Sequence, residues 1–162
     1  MNILFVCTGN TCRSPMAEGI FKDMLKKKNI DNINVSSAGL SVFPGEHANK
    51  KAIKALIEKG IDITTHRARQ LSDEINKADL ILTMTLSHKQ IIEDYLKHKS
   101  DETSPCLFTL KEFAAKLSDE KLTAPDIQDP YGRNYSFYKK SRDEIEKELR
   151  KILKNLDKLE EI

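Results

Sequence analysis

The chain lacks most of what nucleic-acid-binding and disulfide-stabilised proteins are built from. It has no tryptophan, its aromatic content is 6%, and its formal net charge at pH 7 is only +2. This composition offers neither a stacking platform for single strands nor an electrostatic reason to bind nucleic acid or a membrane surface. Three cysteines in 162 residues are an odd number and do not suit the disulfide framework of a small secreted protein.

Long apolar runs and targeting signals are also missing. No run approaches the roughly 20 residues that a transmembrane helix needs, and the first residues lack the features of a signal peptide. We therefore expect a cytoplasmic protein. Because hydrophobic residues make up 39% of the chain and no repeat, linker or low-complexity tract interrupts it, we interpret residues 1–162 as a single domain with its own core.

The most informative stretch that is present is the loop over residues 7–13. Residues 3–6 are typical of a buried strand, and apolar side chains recur at helical spacing over residues 17–25. Ser14 and Pro15 suit the N-cap and the first position of that helix. The loop between strand and helix is so short that it has to curl back on itself.

A loop of this shape predicts a site for a tetrahedral dianion such as phosphate. Its backbone N–H groups point inward at the positive end of the helix dipole, and Arg13 can clamp two phosphate oxygens. The same positive charges favour the thiolate of Cys7, which would lie beneath a bound phosphoryl group as a nucleophile. No Gly-Lys-Ser/Thr follows, so the loop is not a Walker loop. In another setting Cys7 would more often be a small buried hydrophobic residue.

A second chemical element lies in the long loop over residues 118–135. A thiolate that attacks phosphorus needs a leaving group that departs protonated, and Asp129, which is followed by Pro130, is a candidate proton donor. An Asp-Pro pair alone more often marks a turn. The catalytic interpretation of Asp129 therefore depends on this loop meeting Cys7 in the fold.

Residues 6–15, Val-Cys-Thr-Gly-Asn-Thr-Cys-Arg-Ser-Pro, resemble the signature of the low-molecular-weight protein-tyrosine phosphatases. The spacing Cys-x5-Arg alone is weakly specific, but the Gly-Asn-x-Cys-Arg-Ser-Pro context after an N-terminal strand is strongly specific. The resemblance covers nearly the whole chain. It implies an α/β fold, a single domain with a four-stranded parallel sheet in the order 2-1-3-4, helices on both faces and the phosphate loop after strand 1.

Hydrophobic patterning agrees with this fold, because strand-like and helix-like segments alternate along the chain. The helix predicted over residues 87–95 should turn Ile91, Ile92 and Tyr95 inward, and a capping box is predicted at residues 141–144, near the start of the C-terminal helix. The apolar seam of that helix favours packing on the sheet over the alternative of a coiled-coil dimer, so we expect a monomer, with final turns that overhang the domain. The predicted strands are residues 3–6, 32–36, 78–84 and 106–110.

The resemblance implies roles for individual residues. Cys7 would be the nucleophile, Arg13 would hold the phosphate, and Asp129 would act as general acid and then as base for the hydrolytic water. The rest of the phosphate-binding loop would be Thr8, Gly9, Asn10, Thr11 and Cys12.

Several supporting residues are predicted around that loop. Ser14 is expected to donate a hydrogen bond to the thiolate of the nucleophile, besides or instead of capping the helix. Ser37 and His66 match positions that form a bracing network with Asn10 in the family, although His66 alone would be interpreted as a surface histidine. Phe43 is expected to wall the pocket or to belong to the core.

Sulfur chemistry gives one further prediction. Cys12 shares the loop with Cys7, and a disulfide between them would protect the nucleophile and switch the enzyme off reversibly. The alternative is that Cys12 is a passive loop residue. Cys106 is interpreted as the core residue of a strand. No Cys/His spacing predicts a zinc site, and the thiolate mechanism needs neither a metal nor another cofactor.

The substrate class depends on Thr11. Tyrosine-specific members of the family commonly carry an aliphatic β-branched residue there, whereas members that resemble bacterial protein-arginine phosphatases carry threonine. Segments 88–92, 108–112 and 138–144 also look bacterial and arginine-phosphatase-like, while Arg133 departs from a common glycine and puts a positive charge beside the acid loop. The resemblance therefore implies hydrolysis of phosphotyrosine or phosphoarginine side chains in proteins through a phosphocysteine, with Thr11 favouring phosphoarginine.

Three rival interpretations share the same loop. Arsenate reductases need further cysteines to shuttle a disulfide, and here Cys106 stands alone. A phosphocarrier of the sugar-phosphotransferase type also holds phosphate on a loop cysteine, but it would not need Asp129. A silent binding module is disfavoured because Cys7, Arg13 and Asp129 are all present.

Overall fold

The computed structural model describes residues 1–98 and 104–161, and within them a parallel sheet of four strands forms the centre of the molecule. Numbered along the chain, the strands lie in the order 2-1-3-4 across the sheet, as expected. Residues 99–103 and the predicted domain boundary at residue 162 lie outside the described residues. The strands are β1 (Asn2–Cys7), β2 (Asn34–Gly39), β3 (Leu80–Thr83) and β4 (Cys106–Thr109).

Helices cover both faces of the sheet, and successive residues of β1 show why. Ile3 and Phe5 belong to a large apolar cluster with the first helix and the last two helices, whereas Leu4 and Val6 belong to a smaller cluster with the helices that precede and follow β3. Alternate side chains of a strand point to opposite faces, so a strand buried on both faces is apolar throughout. The helices are α1 (Arg13–Lys27), α2 (Lys50–Ile57), α3 (Leu71–Glu74), α4 (Leu86–Lys97), α5 (Leu110–Ser118) and α6 (Tyr135–Lys154), with 3-10 turns at Ile75–Lys77 and Leu156–Glu161.

The C-terminal helix α6 covers the face of the sheet that carries the larger apolar cluster, and it packs there against α1, α2 and α5. Ile145, Leu149 and Ile152 are fully buried there, and Leu159 in the following 3-10 turn is only 4% exposed. The apolar side chains of α6 therefore pack against other helices of the same chain. The expectation that the final turns overhang the domain is wrong, because Leu159 completes the core.

Two predicted helix caps are also wrong. α1 begins at Arg13 with Cys12 at its N-cap, so Ser14 lies inside the first turn, where its hydroxyl group is hydrogen-bonded within the loop. Ser141 lies inside α6 and donates instead to the carbonyl of Gln128 at 3.0 Å. In both cases the serine hydroxyl group is hydrogen-bonded to a residue outside its own helix, so it does not cap that helix.

Packing changes two predictions, namely the end of β2 and the inward face of α4. β2 extends to Gly39, because it pairs with all of β1, from Asn2 opposite Asn34 to Cys7 opposite Gly39. Of the three α4 residues predicted to turn inward, only Ile92 is buried, whereas Ile91 is 52% and Tyr95 42% exposed. A helix turns by about 100° per residue, so neighbouring side chains cannot both face the sheet.

No helix within residues 1–98 and 104–161 is both long enough and apolar enough to cross a membrane.

Candidate active site

A small pocket lies at the carboxyl edge of the sheet, where β1 ends and its loop turns into α1. Its volume is about 150 Å³. It unites the N-terminal loop with the loop that precedes α6, although the two are far apart in the sequence. A larger groove of about 570 Å³ runs beside α1, but it contains no thiol, so we place the candidate site in the smaller pocket. The pocket is lined by Cys7, Thr8, Gly9, Thr11, Cys12, Arg13, Asp129 and Tyr131.

The backbone carbonyl groups of the loop are hydrogen-bonded to the elements around it. In a planar trans peptide the C=O and the following N–H point in opposite directions. The N–H groups that follow these carbonyls therefore turn toward the pocket, which is the arrangement an anion needs. The bonds join Leu40 N to Cys7 O (3.1 Å), Ser41 N to Thr8 O (3.0 Å), His66 Nε2 to Asn10 O (2.8 Å) and Asn49 N to Thr11 O (2.8 Å).

The candidate nucleophile lies at the base of the pocket beside a hydroxyl group. Cys7 is 3% exposed and Ser14 is fully buried. The Cys7 Sγ and the Ser14 Oγ are 2.9 Å apart. When the sulfur is a thiolate, the hydroxyl group is the only possible donor of the two, so Ser14 is placed to stabilise the negative charge on Cys7.

Arg13 connects the phosphate loop to the candidate acid. Its Nη1 donates to the carbonyl of Ile127 at 3.0 Å, and its Nη2 lies 3.2 Å from Asp129 Oδ2. The Asp129 Oδ1 accepts the backbone N–H of Tyr131 at 3.1 Å. The Arg13 side chain is 4% exposed and the Asp129 side chain 50% exposed, so a buried cation pairs with a half-exposed carboxylate at the mouth of the pocket.

Asn10 braces the loop from behind. It is fully buried and has a φ of +54°, a left-handed conformation that asparagine tolerates better than most residues. Its Nδ2 donates to Ser14 Oγ at 2.8 Å and to Ser37 Oγ at 2.9 Å. Its Oδ1 accepts the backbone N–H of Arg69 at 3.0 Å, and its carbonyl accepts from His66. The predicted supporting residues Ser14, Ser37 and His66 therefore all contact Asn10.

A comparison with known proteins assigns the chain to a family. The family model of the low molecular weight phosphotyrosine protein phosphatases matches residues 2–161. The chain belongs to this family.

Relatives of this low molecular weight phosphatase carry two kinds of name. The protein-arginine-phosphatase of Bacillus subtilis (strain 168) is 42% identical over 159 residues, 98% of each chain. The low molecular weight protein-tyrosine-phosphatase PtpB of Staphylococcus haemolyticus (strain JCSC1435) is 34% identical over 145 residues, 90% of this chain and 92% of that protein. A solved structure of a cysteine-to-serine mutant of the YwlE arginine phosphatase, with a phosphorylated active-site serine, matches with a TM-score of 0.83 at 42% identity, covering 98% of this chain and 97% of that one.

Behind the bracing network of the phosphatase lies a charge that sequence analysis missed. Glu18 is 9% exposed. Its Oε2 accepts the hydroxyl of Ser37 at 2.5 Å and Nη2 of Arg69 at 3.3 Å. Burial lowers the pKa of the neighbouring His66. The sequence did contain a signal for Glu18, because this residue lies among the apolar residues of α1. A carboxylate at such a position is rarely buried without partners.

His88 is the second residue that sequence analysis missed as part of the site. It follows β3, whose carboxyl end shares the sheet edge with the pocket. Its Nε2 lies 2.9 Å from the Thr8 Oγ1, and the residue is 6% exposed. Burial, with a smaller contribution from the Arg13 charge, lowers the pKa of His88 to about 4. The imidazole is therefore neutral at pH 7.

The environment of Cys12 bears on the predicted disulfide. Cys7 and Cys12 are both free thiols that line the pocket. The Cys12 Sγ lies 3.6 Å from the Tyr138 hydroxyl, and burial raises the pKa of the Cys12 thiol. Disulfide formation between the two cysteines remains a prediction.

The remaining expectations concern residues around the pocket. Phe43 is 81% exposed and does not line the pocket, so the expectation that it walls the pocket or joins the core is wrong. Cys106 is half-buried in β4 and packs against the core. Tyr131, which was not predicted to line the pocket, forms part of its mouth and is 71% exposed. In the part of the chain that the structure describes, no group of three or more His, Cys, Asp or Glu side chains is arranged to hold a metal ion.

Proposed function

We propose that this protein is a cysteine-dependent protein phosphatase that hydrolyses phosphoarginine side chains, with phosphotyrosine as the alternative substrate. The observation that carries the proposal is the joint arrangement of Cys7, Arg13 and Asp129 around one pocket. A thiol at the base, a guanidinium in the wall and a carboxylate at the mouth are the nucleophile, the anion clamp and the proton donor of phosphoryl transfer.

In the first step the thiolate of Cys7 attacks phosphorus. The loop N–H groups and Arg13 hold the non-bridging oxygens, whose charge they stabilise in the transition state. The bond from phosphorus to the leaving nitrogen or oxygen breaks, and Asp129 in its protonated form gives its proton to that atom. The products of this step are the free side chain and a phosphocysteine.

In the second step water replaces sulfur on phosphorus. Asp129, now a carboxylate, takes the proton of the attacking water, and the bond between phosphorus and the Cys7 sulfur breaks. Cys7 leaves as a thiolate, and the hydroxyl of Ser14, 2.9 Å away, stabilises its charge. Inorganic phosphate is released and the free enzyme is restored.

The relatives support this sequence of steps. The phosphorylated active-site serine of the YwlE mutant stands where that protein has a cysteine, which supports a phosphorylated intermediate on Cys7. A phosphocarrier would accumulate that intermediate and would not need an acid at Asp129. An arsenate reductase would need further cysteines, besides Cys7 and Cys12 of the loop, to shuttle a disulfide, and Cys106 lies in β4 outside the pocket.

Thr11 supports phosphoarginine as the substrate. Its carbonyl is fixed by the N–H of Asn49, and its side chain lines the pocket. A hydroxyl group can accept a hydrogen bond from the guanidinium of phosphoarginine, which an aliphatic side chain cannot do. We further place the enzyme in the cytoplasm, where free thiols persist, and we propose that it acts as a monomer on phosphorylated proteins.

The test is steady-state hydrolysis of matched phosphoarginine and phosphotyrosine peptides by the wild type, Thr11→Ile, Thr11→Val and Thr11→Ser. Valine removes the hydroxyl at nearly constant shape, and serine keeps it. We expect the wild type and Thr11→Ser to prefer phosphoarginine in kcat/KM. The valine and isoleucine variants should lose roughly tenfold of that preference, as the loss of one hydrogen bond predicts. A preference for phosphotyrosine in all four proteins would make the enzyme a tyrosine phosphatase and remove Thr11 as the selector.

A further inference from the structure

A group of exposed cations lies beside the pocket and forms no ion pairs in the part of the chain that the structure describes, although Lys139 is within electrostatic reach of Glu58. Among the ion pairs of residues 1–98 and 104–161, none includes a member of this group. The nearby acids are engaged elsewhere: Glu58 and Asp143 both pair with Arg142, and Asp129 pairs with Arg13. The group, called here the basic surface, consists of Lys50, Lys51, Lys54, Arg133 and Lys139.

The basic surface is continuous with the walls of the pocket. The N-terminus of α2 touches the phosphate loop, because Asn49 N donates to the carbonyl of Thr11 at 2.8 Å. Lys50 follows directly. Lys51 then crosses to the loop that carries the candidate acid and donates from Nζ to the carbonyl of Arg133 at 2.7 Å. The helix that braces the phosphate loop and the loop that carries the candidate acid therefore both carry members of the basic surface.

Aromatic rings lie against four of these cations, and the three shortest contacts involve Lys54, Arg133 and Lys139. The Nζ atoms of Lys54 and Lys139 lie 4.3 Å and 5.6 Å from the centre of the Tyr135 ring. The guanidinium of Arg133 lies 4.7 Å from the centre of the Phe137 ring. A cation over a ring is positioned without being neutralised. These charges therefore remain available to an anionic partner.

We propose that the basic surface docks an acidic segment of the substrate protein, a stretch of Asp and Glu residues next to the phosphorylated side chain. The proposal rests on the proposed function, because only a protein substrate extends from the pocket across this border. Complementary charge of this kind speeds encounter and lowers KM, and salt screens it. Since the net charge of the chain is only +2, the attraction is local to the pocket rather than a property of the whole surface.

The experiment uses phosphorylated peptides with two kinds of flanking residues, Asp/Glu in the acidic peptide and Asn/Gln in the neutral peptide. Both peptides are made in a phosphoarginine form and in a phosphotyrosine form. The variants are Lys54→Glu/Lys139→Glu, which reverses two charges, and Lys54→Gln/Lys139→Gln, which neutralises them. The matched control is Lys26→Glu/Lys28→Glu, which makes the same change of net charge at the exposed end of α1. The readout is the ratio of kcat/KM for the acidic peptide to that for the neutral peptide.

We expect the wild type and the control to favour the acidic peptide by about fivefold at low ionic strength, through KM. The ratio should fall toward one in Lys54→Glu/Lys139→Glu, take an intermediate value in the glutamine variant, and fall in the wild type in 0.5 M salt. Hydrolysis of both peptides without preference by the wild type, or an equal loss in the control, overturns the docking proposal alone. Failure to hydrolyse either peptide overturns the proposed function and the docking proposal with it.

Discussion

Asn10 shows how much of the site depends on one buried side chain. Its left-handed backbone, with φ of +54°, costs an ordinary residue about 1 kcal/mol or more. Each of the polar groups of its side chain is hydrogen-bonded, to Ser14, Ser37 and the backbone of Arg69. The loop therefore keeps its anion-binding shape through contacts made on the side away from the pocket.

The first prediction separates nucleophilic attack by Cys7 from the binding of phosphate in the pocket. Cys7→Ser should lower turnover by at least about a thousandfold, because a serine hydroxyl is a far weaker nucleophile than a thiolate. The loop N–H groups and Arg13 are unchanged, so inorganic phosphate should still bind, as isothermal titration calorimetry would measure. Cys106→Ser, in half-buried β4, is the control and should retain turnover. Near-normal turnover by Cys7→Ser would contradict the covalent scheme.

Among the elements of the fold, the phosphate loop and α4 meet through one hydrogen bond. The loop after β1 supplies Thr8, and α4, which follows β3, supplies His88, whose Nε2 lies 2.9 Å from the threonine hydroxyl. The Nδ1 of His88 is buried and makes no hydrogen bond within the described part of the chain. A protonated imidazole would place a charge in a buried site beside Arg13, which Asp126 and Asp129 offset only in part. The contact between α4 and the phosphate loop is therefore stable only while His88 is neutral.

This contact predicts a pH dependence of folding stability. The pKa of His88 is lowered to about 4 in the folded protein, whereas it is about 6.5 in an unfolded chain. Between these values the unfolded state binds the additional proton, so the free energy of unfolding falls as the pH falls from about 6.5 to about 4. The contribution is about 3 kcal/mol. The lowered pKa of His66 acts in the same direction.

Urea unfolding at a series of pH values measures this contribution. His88→Gln removes the titrating group and should flatten the stability curve between about pH 6.5 and pH 4 relative to the wild type. His98→Gln, at the exposed C-cap of α4, is the matched control and should follow the wild type. Parallel curves for the wild type and His88→Gln would show that His88 is not held neutral by the fold.

At the scale of the whole molecule, α6 joins the core to the site. Its inner face completes the apolar cluster, and Ser141 ties it to the carbonyl of Gln128, next to Asp129. Tyr138 of the same helix contacts Cys12 in the phosphate loop. Both halves of the pocket therefore depend on the packing of a single helix.

A matched pair of isoleucines tests this packing. Ile145→Ala in α6 removes a fully buried side chain, and the free energy of unfolding should fall by about 3 kcal/mol. Ile91→Ala in α4 removes a side chain that is 52% exposed, and the loss should be below about 1 kcal/mol. Chemical denaturation followed by circular dichroism measures both. Equal losses would mean that α6 is not part of the cooperative core.

The sequence was sufficient for features whose evidence is local. The apolar run of β1 and the helical spacing after it predicted the strand, the loop and α1, and the resemblance supplied the sheet order. Predictions from neighbouring residues alone failed where two possible hydrogen-bond partners compete for one side-chain hydroxyl group. Ser14 has the chemistry of an N-cap, but contacts with Cys7 and Asn10 hold its hydroxyl group inside the loop.

Residues that act through distant contacts could not be found in this way. Nothing in the sequence around His88 indicates Thr8, and Glu18 meets Arg69 only because α1 lies beside the segment that follows α2. Such pairs arise when the chain folds, not from a periodic pattern. Phe43 is the converse case, an aromatic side chain whose type suggested a role that its 81% exposure does not support.

Gly39, at the end of β2, provides a criterion for recognising the same loop in other sequences. A Cβ atom at this position would lie 2.6 Å from the Thr8 carbonyl oxygen and 2.9 Å from the Asn10 nitrogen, closer than backbone atoms tolerate. The loop occupies the space that the missing side chain leaves. Chance produces the spacing Cys-x5-Arg in many genomes, so a glycine that ends the next parallel strand is an independent criterion for sorting true matches from coincidences. A chain with a larger residue there must route its loop differently, whatever cysteine and arginine it carries.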